Sequence, residues 1–395
     1  MHEQVPISRR VQSIKISATK RMPMLAAARG GCVSLGQGVP SFPTPEHILR
    51  SVFERLQNDP ACGRYSLQPG MTELRRALAE MLSRDKGVPA DPETEVAVTV
   101  GAMEGLLMAM LTLVDAGDEV LLPSPCYPSH VEQVLLAEGK PVFVPCDPKD
   151  WSLDPGELRR RITPRTRALV LCNPSNPTGA VLPDSRVREI VSLAAEHGLV
   201  ILADETYDSL VYDGPPPLSP ASLRQACVIT VGSFSKKYAL TGWRVGFVHA
   251  PAPLLDQMLK VHDCTAICAP APAQLAALAA LQGPQQVVED MRRTLGRRRD
   301  LACERLDRLA PDLDYVRPSG AFYVMARYAF SPEDSMTLAL RLLREAGVVT
   351  IPGGSFGPGG ESHLRLSFGG SEEELTEAFD RLETWLEKEH GRDKR

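Results

Sequence analysis

The sequence has no long apolar segment and no large excess of charge of either sign. No apolar run reaches the roughly 20 residues needed to cross a bilayer, so we expect no membrane partner. The formal net charge is −5, from 44 basic and 49 acidic residues, which gives no electrostatic reason to bind nucleic acid. The N-terminal stretch MHEQVPISRR lacks the apolar core of a secretory signal. We therefore expect a cytoplasmic protein.

The sequence also lacks the patterns of metal sites and disulfide frameworks. Its 8 histidines include no HExxH motif and no closely spaced pair, so we predict no metal site. Its 9 cysteines are odd in number and form no CxxC motif. Scattered cysteines of this kind are typical of reduced thiols in a cytoplasm.

Apolar periodicity predicts an α/β fold. Helical patterns such as Ala102–Asp115, Ser129–Glu138 and Pro183–Glu196 alternate with short apolar runs, as in a mostly parallel sheet. These runs are nearly continuous, which is expected of strands covered by helices on both faces. Seven of them are predicted strands: Glu95–Val100, Glu119–Leu122, Pro141–Val144, Ala168–Cys172, Leu199–Ala203, Cys227–Val231 and Val245–His249.

The pattern changes after about residue 280, where a smaller α+β domain is predicted. Strand-like runs occur at Phe322–Met325 and Val348–Ile351. The predicted helices of this region are Gln285–Leu309, Met336–Ala346 and Glu372–Lys388.

The strongest chemical signal follows the predicted strand Cys227–Val231, in the segment Ser233-Phe-Ser-Lys236-Lys-Tyr-Ala-Leu-Thr-Gly-Trp-Arg244. A charged lysine is costly at the buried end of a strand. A desolvated lysine near other cations has a lowered pKa and can form an imine as a nucleophile. Arg244 offers a guanidinium fork that suits a phosphate, and Ser233 adds a hydroxyl donor. The segment therefore predicts a nucleophilic lysine beside a phosphate site.

Two further motifs follow predicted strands. Asn173-Pro-Ser-Asn176-Pro-Thr-Gly179 follows Ala168–Cys172, and Asp204-Glu-Thr-Tyr207 follows Leu199–Ala203. Alone, the first motif is a turn and the second is a helix cap. Parallel sheets bind ligands beyond the carboxyl ends of their strands, so the coincidence of three such motifs indicates one site.

Together these motifs resemble those of class I and II aminotransferases, a branch of the fold-type-I pyridoxal-phosphate enzymes in the aspartate-aminotransferase-like superfamily. Asn176, Asp204, Lys236 and Arg244 follow one another at intervals of 28, 32 and 8 residues. The resemblance extends from about Ser34 to Phe368. It implies a large three-layer domain of residues 45–280 with a seven-stranded, mostly parallel sheet. Residues 1–44 and 281–395, from both chain ends, would form the small α+β domain.

The resemblance implies that pyridoxal 5′-phosphate is held as an imine on Lys236, with Lys237 as the rival lysine. Asp204 would pair with the protonated ring nitrogen, and Asn176 and Tyr207 would hydrogen-bond the phenolic oxygen. Lys236, Asp204 and Tyr207 are thus the expected catalytic residues. The other residues expected at the cofactor are Ala102 and Met103 at a helix start, Tyr127 stacked on the ring, Ser233, Ser235, Arg244, and Tyr65 from the partner subunit of a homodimer.

The family also implies how an amino acid is bound. Arg365 would grip the substrate α-carboxylate, with Gly38 in the loop that closes over it and Asn176 nearby. Relatives that accept dicarboxylates often carry a lysine where Met103 stands, so we expect a neutral or aromatic L-amino acid as donor and a 2-oxo acid as acceptor. Ser41 departs from the family, because many relatives have aspartate there.

Two alternatives stay open at this stage. The same residues support elimination, replacement or cyclisation on an amino acid, because the cofactor performs the difficult step and the pocket selects the bond. A non-catalytic regulator would carry a DNA-binding unit before the aminotransferase-like region. That region begins near residue 30, so we expect no such unit.

Overall fold

The structure, a computed structural model, describes residues 6–392. Its strands are, in chain order, β1 (Val33–Ser34), β2 (Val96–Thr99), β3 (Glu119–Ser124), β4 (Lys140–Pro145), β5 (Thr166–Cys172), β6 (Val200–Asp204), β7 (Cys227–Ser233), β8 (Gly246–His249), β9 (Leu313–Tyr315), β10 (Tyr323–Tyr328), β11 (Val348–Val349), β12 (Ile351–Pro352) and β13 (His363–Ser367). Its α-helices are α1 (Arg9–Gln12), α2 (Ala18–Arg29), α3 (Glu46–Asn58), α4 (Thr72–Lys86), α5 (Ala102–Leu113), α6 (Pro128–Leu136), α7 (Pro155–Arg159), α8 (Asp184–Glu196), α9 (Phe234–Lys237), α10 (Ala252–Thr265), α11 (Ala271–Gln282), α12 (Gln286–Arg308), α13 (Ser335–Glu345) and α14 (Glu372–Arg392).

Seven strands form the central sheet, in the order β2-β8-β7-β6-β5-β3-β4. Strand β8 runs antiparallel to both of its neighbours, and the other neighbouring pairs are parallel. All seven predicted strands are present, with bounds that differ from the prediction by at most two residues. The predicted seven-stranded, mostly parallel sheet is confirmed.

Helices cover both faces of this sheet. Along β6, Ile201 and Ala203 pack into a core with α3, α4, α8 and α11. Leu202 points to the opposite face, into a core with α5, α6 and α10. Successive strand residues point to opposite faces, and both faces are buried here. This explains why the strands are continuous apolar runs in the sequence and confirms the three layers.

A smaller sheet lies in the C-terminal third, in the order β12-β13-β10-β9, with all neighbours antiparallel. Its core includes residues of α2, α12, α13 and α14, so segments from both ends of the chain pack together. The predicted strand Val348–Ile351 is in fact two strands: β11 pairs with β1, and β12 pairs with β13. The domain bounds at residues 44 and 280 stay a prediction, and residues 1–5 and 393–395 lie outside the described residues.

The central sheet brings the sequence motifs to one edge. Cys172 and Val231 flank Asp204 in register, at the carboxyl ends of β5, β7 and β6. Asn176 follows β5, and Lys236 lies in α9 directly after β7. In residues 6–392, no helix is both long and apolar enough to cross a membrane.

Candidate active site

A cavity of about 290 Å³ opens at this edge of the sheet. The predicted site residues that line it are Gly38, Ala102, Met103, Tyr127, Asn176, Asp204, Tyr207, Ser233, Ser235, Lys236, Arg244 and Arg365. Tyr65 does not line it and is 78% exposed at the surface. Its contact with a partner subunit stays a prediction.

Lys236 projects from the short helix α9 into the cavity. Ser233 caps the start of this helix, and its hydroxyl accepts the Ser235 N–H at 3.1 Å. The Lys236 ammonium donates to the Gly38 carbonyl. Burial, together with the charges of Arg365 and Arg244, lowers the pKa of Lys236 to about 8, so the neutral, nucleophilic amine is accessible near neutral pH.

Lys237 is oriented differently from its neighbour. Its Nζ atom lies 5.6 Å from the centre of the Tyr238 ring, and it lines a separate cavity with Asp208 and Arg84. The structure thus brings Lys236, and not Lys237, together with Asp204 and Arg365.

Asp204 lies at the buried end of β6. One of its oxygens is 3.0 Å from His130 Nε2, and the other accepts the Thr206 N–H at 3.1 Å. Burial favours the neutral acid, but the His130 and Thr206 interactions outweigh it and hold the pKa of Asp204 below its usual value. The result is a charged carboxylate at the cavity wall.

The sequence analysis missed His130, which is 1% exposed at the start of α6. Its ring lies edge-on to Tyr127, with centroids 5.6 Å apart. One feature of the sequence could have indicated His130: it follows Tyr127 by three residues, so both lie at the start of the same helix. Spacing alone did not reveal the contact with Asp204, because these residues are 74 positions apart.

Two tyrosine hydroxyls meet on the other side of the cavity. Tyr207 Oη lies 2.9 Å from Tyr323 Oη, and Asn176 Nδ2 donates to Tyr207 Oη at 3.5 Å. Burial raises the pKa of Tyr207, and it raises the pKa of Tyr323 to about 12, so both remain hydrogen-bond donors. Tyr323 was also missed, because it falls inside a predicted strand where an aromatic residue indicates only core packing.

Arg365 is a buried cation without an acidic partner. It is 2% exposed, and within residues 6–392 no carboxylate lies within 4 Å of its guanidinium. It donates to Gly36 O at 2.6 Å and to Asn176 Oδ1 at 3.3 Å, while its Nε has no hydrogen-bond partner. The guanidinium carbon lies 4.4 Å from the Tyr323 ring centre. A buried charge of this kind is costly, and its open donor suits an incoming anion.

The start of α5 forms a compact anion cradle. Gly101 has φ +75°, and a Cβ there would lie 2.3 Å from Arg244 Nη2. A Cβ at Gly246 would lie 2.7 Å from the Ala102 amide nitrogen. The first N–H groups of a helix have no partner within the helix and favour anions. Both glycines therefore let Arg244 and strand β8 approach these N–H groups closely.

Comparison with known proteins identifies the family. The sequence profile of the family described as "Aminotransferase class I and II" matches residues 31–382. The chain belongs to this family. Members of this family are aminotransferases, so the protein is a transaminase. Fold-type-I aminotransferases share its architecture, and class I aminotransferases depend on pyridoxal phosphate.

Relatives match this aminotransferase over almost its whole length. Aromatic-amino-acid aminotransferase 2 of Thermococcus litoralis is 40% identical over 387 residues, covering 97% of this chain and 98% of the relative. Aspartate aminotransferase of Pyrococcus abyssi is 38% identical over 385 residues, covering 96% and 98%. The solved structure of aspartate aminotransferase from Thermus thermophilus with maleate superposes with a TM-score of 0.90 at 38% identity, covering 96% and 99%.

Ser41, the predicted departure from the family, anchors its loop in this aminotransferase. Its hydroxyl accepts from Arg298 Nη1 at 2.9 Å, and its N–H donates to Gly369 O at 2.9 Å. The Arg298 guanidinium lies 5.0 Å from the ring centre of Phe42. One hydrogen bond from the Arg298 guanidinium and one backbone hydrogen bond thus hold the loop that carries Gly36 and Gly38.

The close approach at the anion cradle predicts that alanine substitutions at two nearby glycines differ in their effect on stability. Gly246→Ala should lower the free energy of unfolding by about 1–3 kcal/mol, the usual cost of overpacking, because its Cβ meets backbone atoms of Gly101 and Ala102. Gly242→Ala is the matched control, since a Cβ there meets nothing within 4 Å. Urea denaturation of the cofactor-free protein measures both. Equal stability of the two variants would contradict the close approach at the helix start.

Proposed function

We propose that this transaminase binds pyridoxal 5′-phosphate at Lys236 and transfers the amino group of a neutral or aromatic L-amino acid to a 2-oxo acid. One observation carries the proposal. A lysine with a pKa of about 8 and a buried arginine that has no carboxylate partner among residues 6–392 face the same cavity. The first suits a carbonyl cofactor, and the second suits the carboxylate of an amino acid.

The residues present fit the cofactor at each of its polar groups. The start of α5, Ser233, Ser235 and Arg244 would hold the phosphate, in the cradle that Gly101 and Gly246 keep open. The charged Asp204 would pair with the ring nitrogen. Tyr207 and Asn176 would donate to the phenolic oxygen, and Tyr127 would cover the ring face. When bound, the cofactor supplies an electron sink for negative charge at the substrate Cα.

The protein's own side chains would then direct the reaction. Arg365 binds the α-carboxylate and so fixes the direction of the Cα–H bond. The neutral Nζ of Lys236 lies in the same cavity and takes the proton from Cα as general base. Asp204 keeps its negative charge through His130 and Thr206. Lys236, Asp204 and Tyr207 are therefore the proposed catalytic residues.

The apolar side chain of Met103 in the cavity wall supports a neutral or aromatic donor. The relatives' names divide between aromatic amino acids and aspartate. Single-turnover reactions of the cofactor-loaded enzyme with a panel of amino acids test this choice. Aspartate reacting fastest by a large factor would overturn it.

We also propose a cytoplasmic homodimer in which Tyr65 reaches the partner subunit's phosphate site. Tyr65 and Leu67, two residues apart in the chain, are 78% and 86% exposed, and exposed apolar residues that lie close together mark interfaces. All nine cysteines are free, which supports a reducing compartment. The proposed domain bounds are 45–280 and 1–44 with 281–395.

The choice of lysine has a direct test. Lys236→Ala should abolish visible absorbance at about 400–430 nm, expected for lysine-bound pyridoxal phosphate, and should abolish turnover. Lys237→Ala is the matched control and should retain both, because its side chain lies outside the cavity. Absorbance spectra and steady-state assays of the two variants decide. Wild-type turnover by Lys236→Ala would refute the assignment.

The lowered pKa of Lys236 predicts the pH dependence of cofactor loading. The neutral amine is the nucleophile, so the loading rate should rise as the pH increases through about 8 and then level off. For a lysine with the ordinary pKa of 10.5, the loading rate would continue to rise until the pH approaches that value. Stopped-flow mixing of cofactor-free protein with pyridoxal phosphate measures the profile. A rate still rising steeply well above pH 8 would contradict the lowered pKa.

Arg365 should act on the substrate carboxylate specifically. Arg365→Met should reduce kcat/KM for amino acids by roughly 100- to 1000-fold, the scale for truncating one partner of a buried charge pair. The control is a substrate pair: phenylalanine and phenethylamine, which lacks the carboxylate. Only the reaction of phenylalanine should slow in the variant. A similar loss with both would mean that Arg365 serves only to shape the cavity.

A further inference from the structure

Four cationic side chains line the cavity: Lys20, Lys236, Arg244 and Arg365. The proposed function gives a task to three of them, since Lys236 holds the cofactor, Arg244 its phosphate and Arg365 the α-carboxylate. Lys20 has no task in that scheme. The presence of a fourth cation in the cavity therefore needs an explanation.

The first turn of α2 directs Lys20 toward the cavity. Ala18 and Met22, four residues apart on one face of the helix, are 4% and 0% exposed and pack in the core around the smaller sheet. These neighbours anchor the turn, while Lys20 lies between them in sequence and is exposed. Thr19 lines the same cavity. The backbone is thus held in place, while the long side chain of Lys20 extends to the cavity.

The Lys20 ammonium has no fixed counter-ion. Across residues 6–392, no acidic group lies within 4 Å of it, and it makes no side-chain hydrogen bond. Its charge does reach the partly buried Glu132 on α6: burial raises the pKa of Glu132, and Lys20 partly offsets that effect. The ammonium is therefore available to a ligand.

The exposure of the lining residues distinguishes the inner end of the cavity from its mouth. Arg365 and Asp204 are 2% and 5% exposed and form the inner end. Val39 is 47% exposed and Lys20 is exposed, so these two residues mark the mouth. With its α-carboxylate on Arg365 and its Cα at Lys236, a substrate extends its side chain outward. The end of a long substrate side chain would then lie at the mouth, where Lys20 is.

Transamination by this scheme requires one cavity to accept two different side chains in turn. Met103 provides an apolar wall for a neutral donor but no charge for an acidic acceptor. Bringing an unpaired carboxylate to that wall would be costly. A lysine on a flexible stem can pair with a carboxylate, or it can remain in water when the side chain is neutral.

We propose that Lys20 binds the distal carboxylate of a dicarboxylic 2-oxo acid and so determines the acceptor. The inference rests on the proposed function, because it takes the substrate direction from Arg365 and Lys236. It assigns dicarboxylic recognition to α2, in place of a lysine at the start of α5, where Met103 stands.

Single-turnover kinetics of the cofactor-loaded enzyme test the proposal. The amine form is mixed with 2-oxoglutarate or with phenylpyruvate, and the return of visible absorbance gives a second-order rate constant for each. Lys20→Met should slow the reaction of 2-oxoglutarate by about 10-fold, the scale of one charged hydrogen bond, and leave that of phenylpyruvate unchanged. Lys20→Arg should retain the dicarboxylate preference. Lys15→Met is the matched control, because Lys15 lines a neighbouring groove and not the cavity; it should leave both rates unchanged.

The outcomes separate this proposal from the one it rests on. Equal slowing of both acceptors by Lys20→Met, or no slowing of either, overturns the role of Lys20. A wild-type enzyme that does not react with 2-oxoglutarate overturns it as well. Failure of the proposed function would be seen earlier, as wild-type protein that gains no visible absorbance with pyridoxal phosphate or accepts no amino group.

Discussion

The site depends on keeping two cations, Lys236 and Arg365, in one small cavity, where the described part of the chain provides no acidic partner for Arg365. The charge of Arg365 contributes to the lowered pKa of Lys236, after burial itself. Carbonyl oxygens replace carboxylates here, since Gly38 accepts from Lys236 and Gly36 accepts from Arg365. The ring of Tyr323 adds cation–π stabilisation to Arg365. Both cations thus stay available for chemistry.

This arrangement needs both sheets and the loop between β1 and α3. The central sheet supplies Asp204 and Lys236 at its carboxyl edge. The smaller sheet supplies Tyr323 on β10 and Arg365 on β13. These strands pair antiparallel, with Tyr323 opposite Ser367 and Arg365 opposite Met325. The loop supplies Gly36 and Gly38, and Arg298 ties it down through Ser41.

Membership of the family identifies the reaction, whereas the residues that line the cavity select the substrate. Relatives with nearly full-length matches carry the names of different substrates, because a fold hosts many specificities. In this chain Met103 adds no charge at the start of α5, and Lys20 adds a positive charge at the mouth of the cavity.

The sequence by itself determined the seven central strands, since residues buried on both faces leave continuous apolar runs. It also predicted Asn176, Asp204, Lys236 and Arg244 as site residues, because each lies in a motif just after a strand or at a characteristic interval. The structure brings these four side chains to one cavity, and their roles stay a prediction. Only the tertiary structure decided that His130 meets Asp204, that Tyr323 meets Tyr207, and that Val348–Ile351 divides between two sheets. Periodicity shows which face of an element is buried, but it does not show which distant residue lies opposite. Those partners are set by packing between elements that are far apart in the chain.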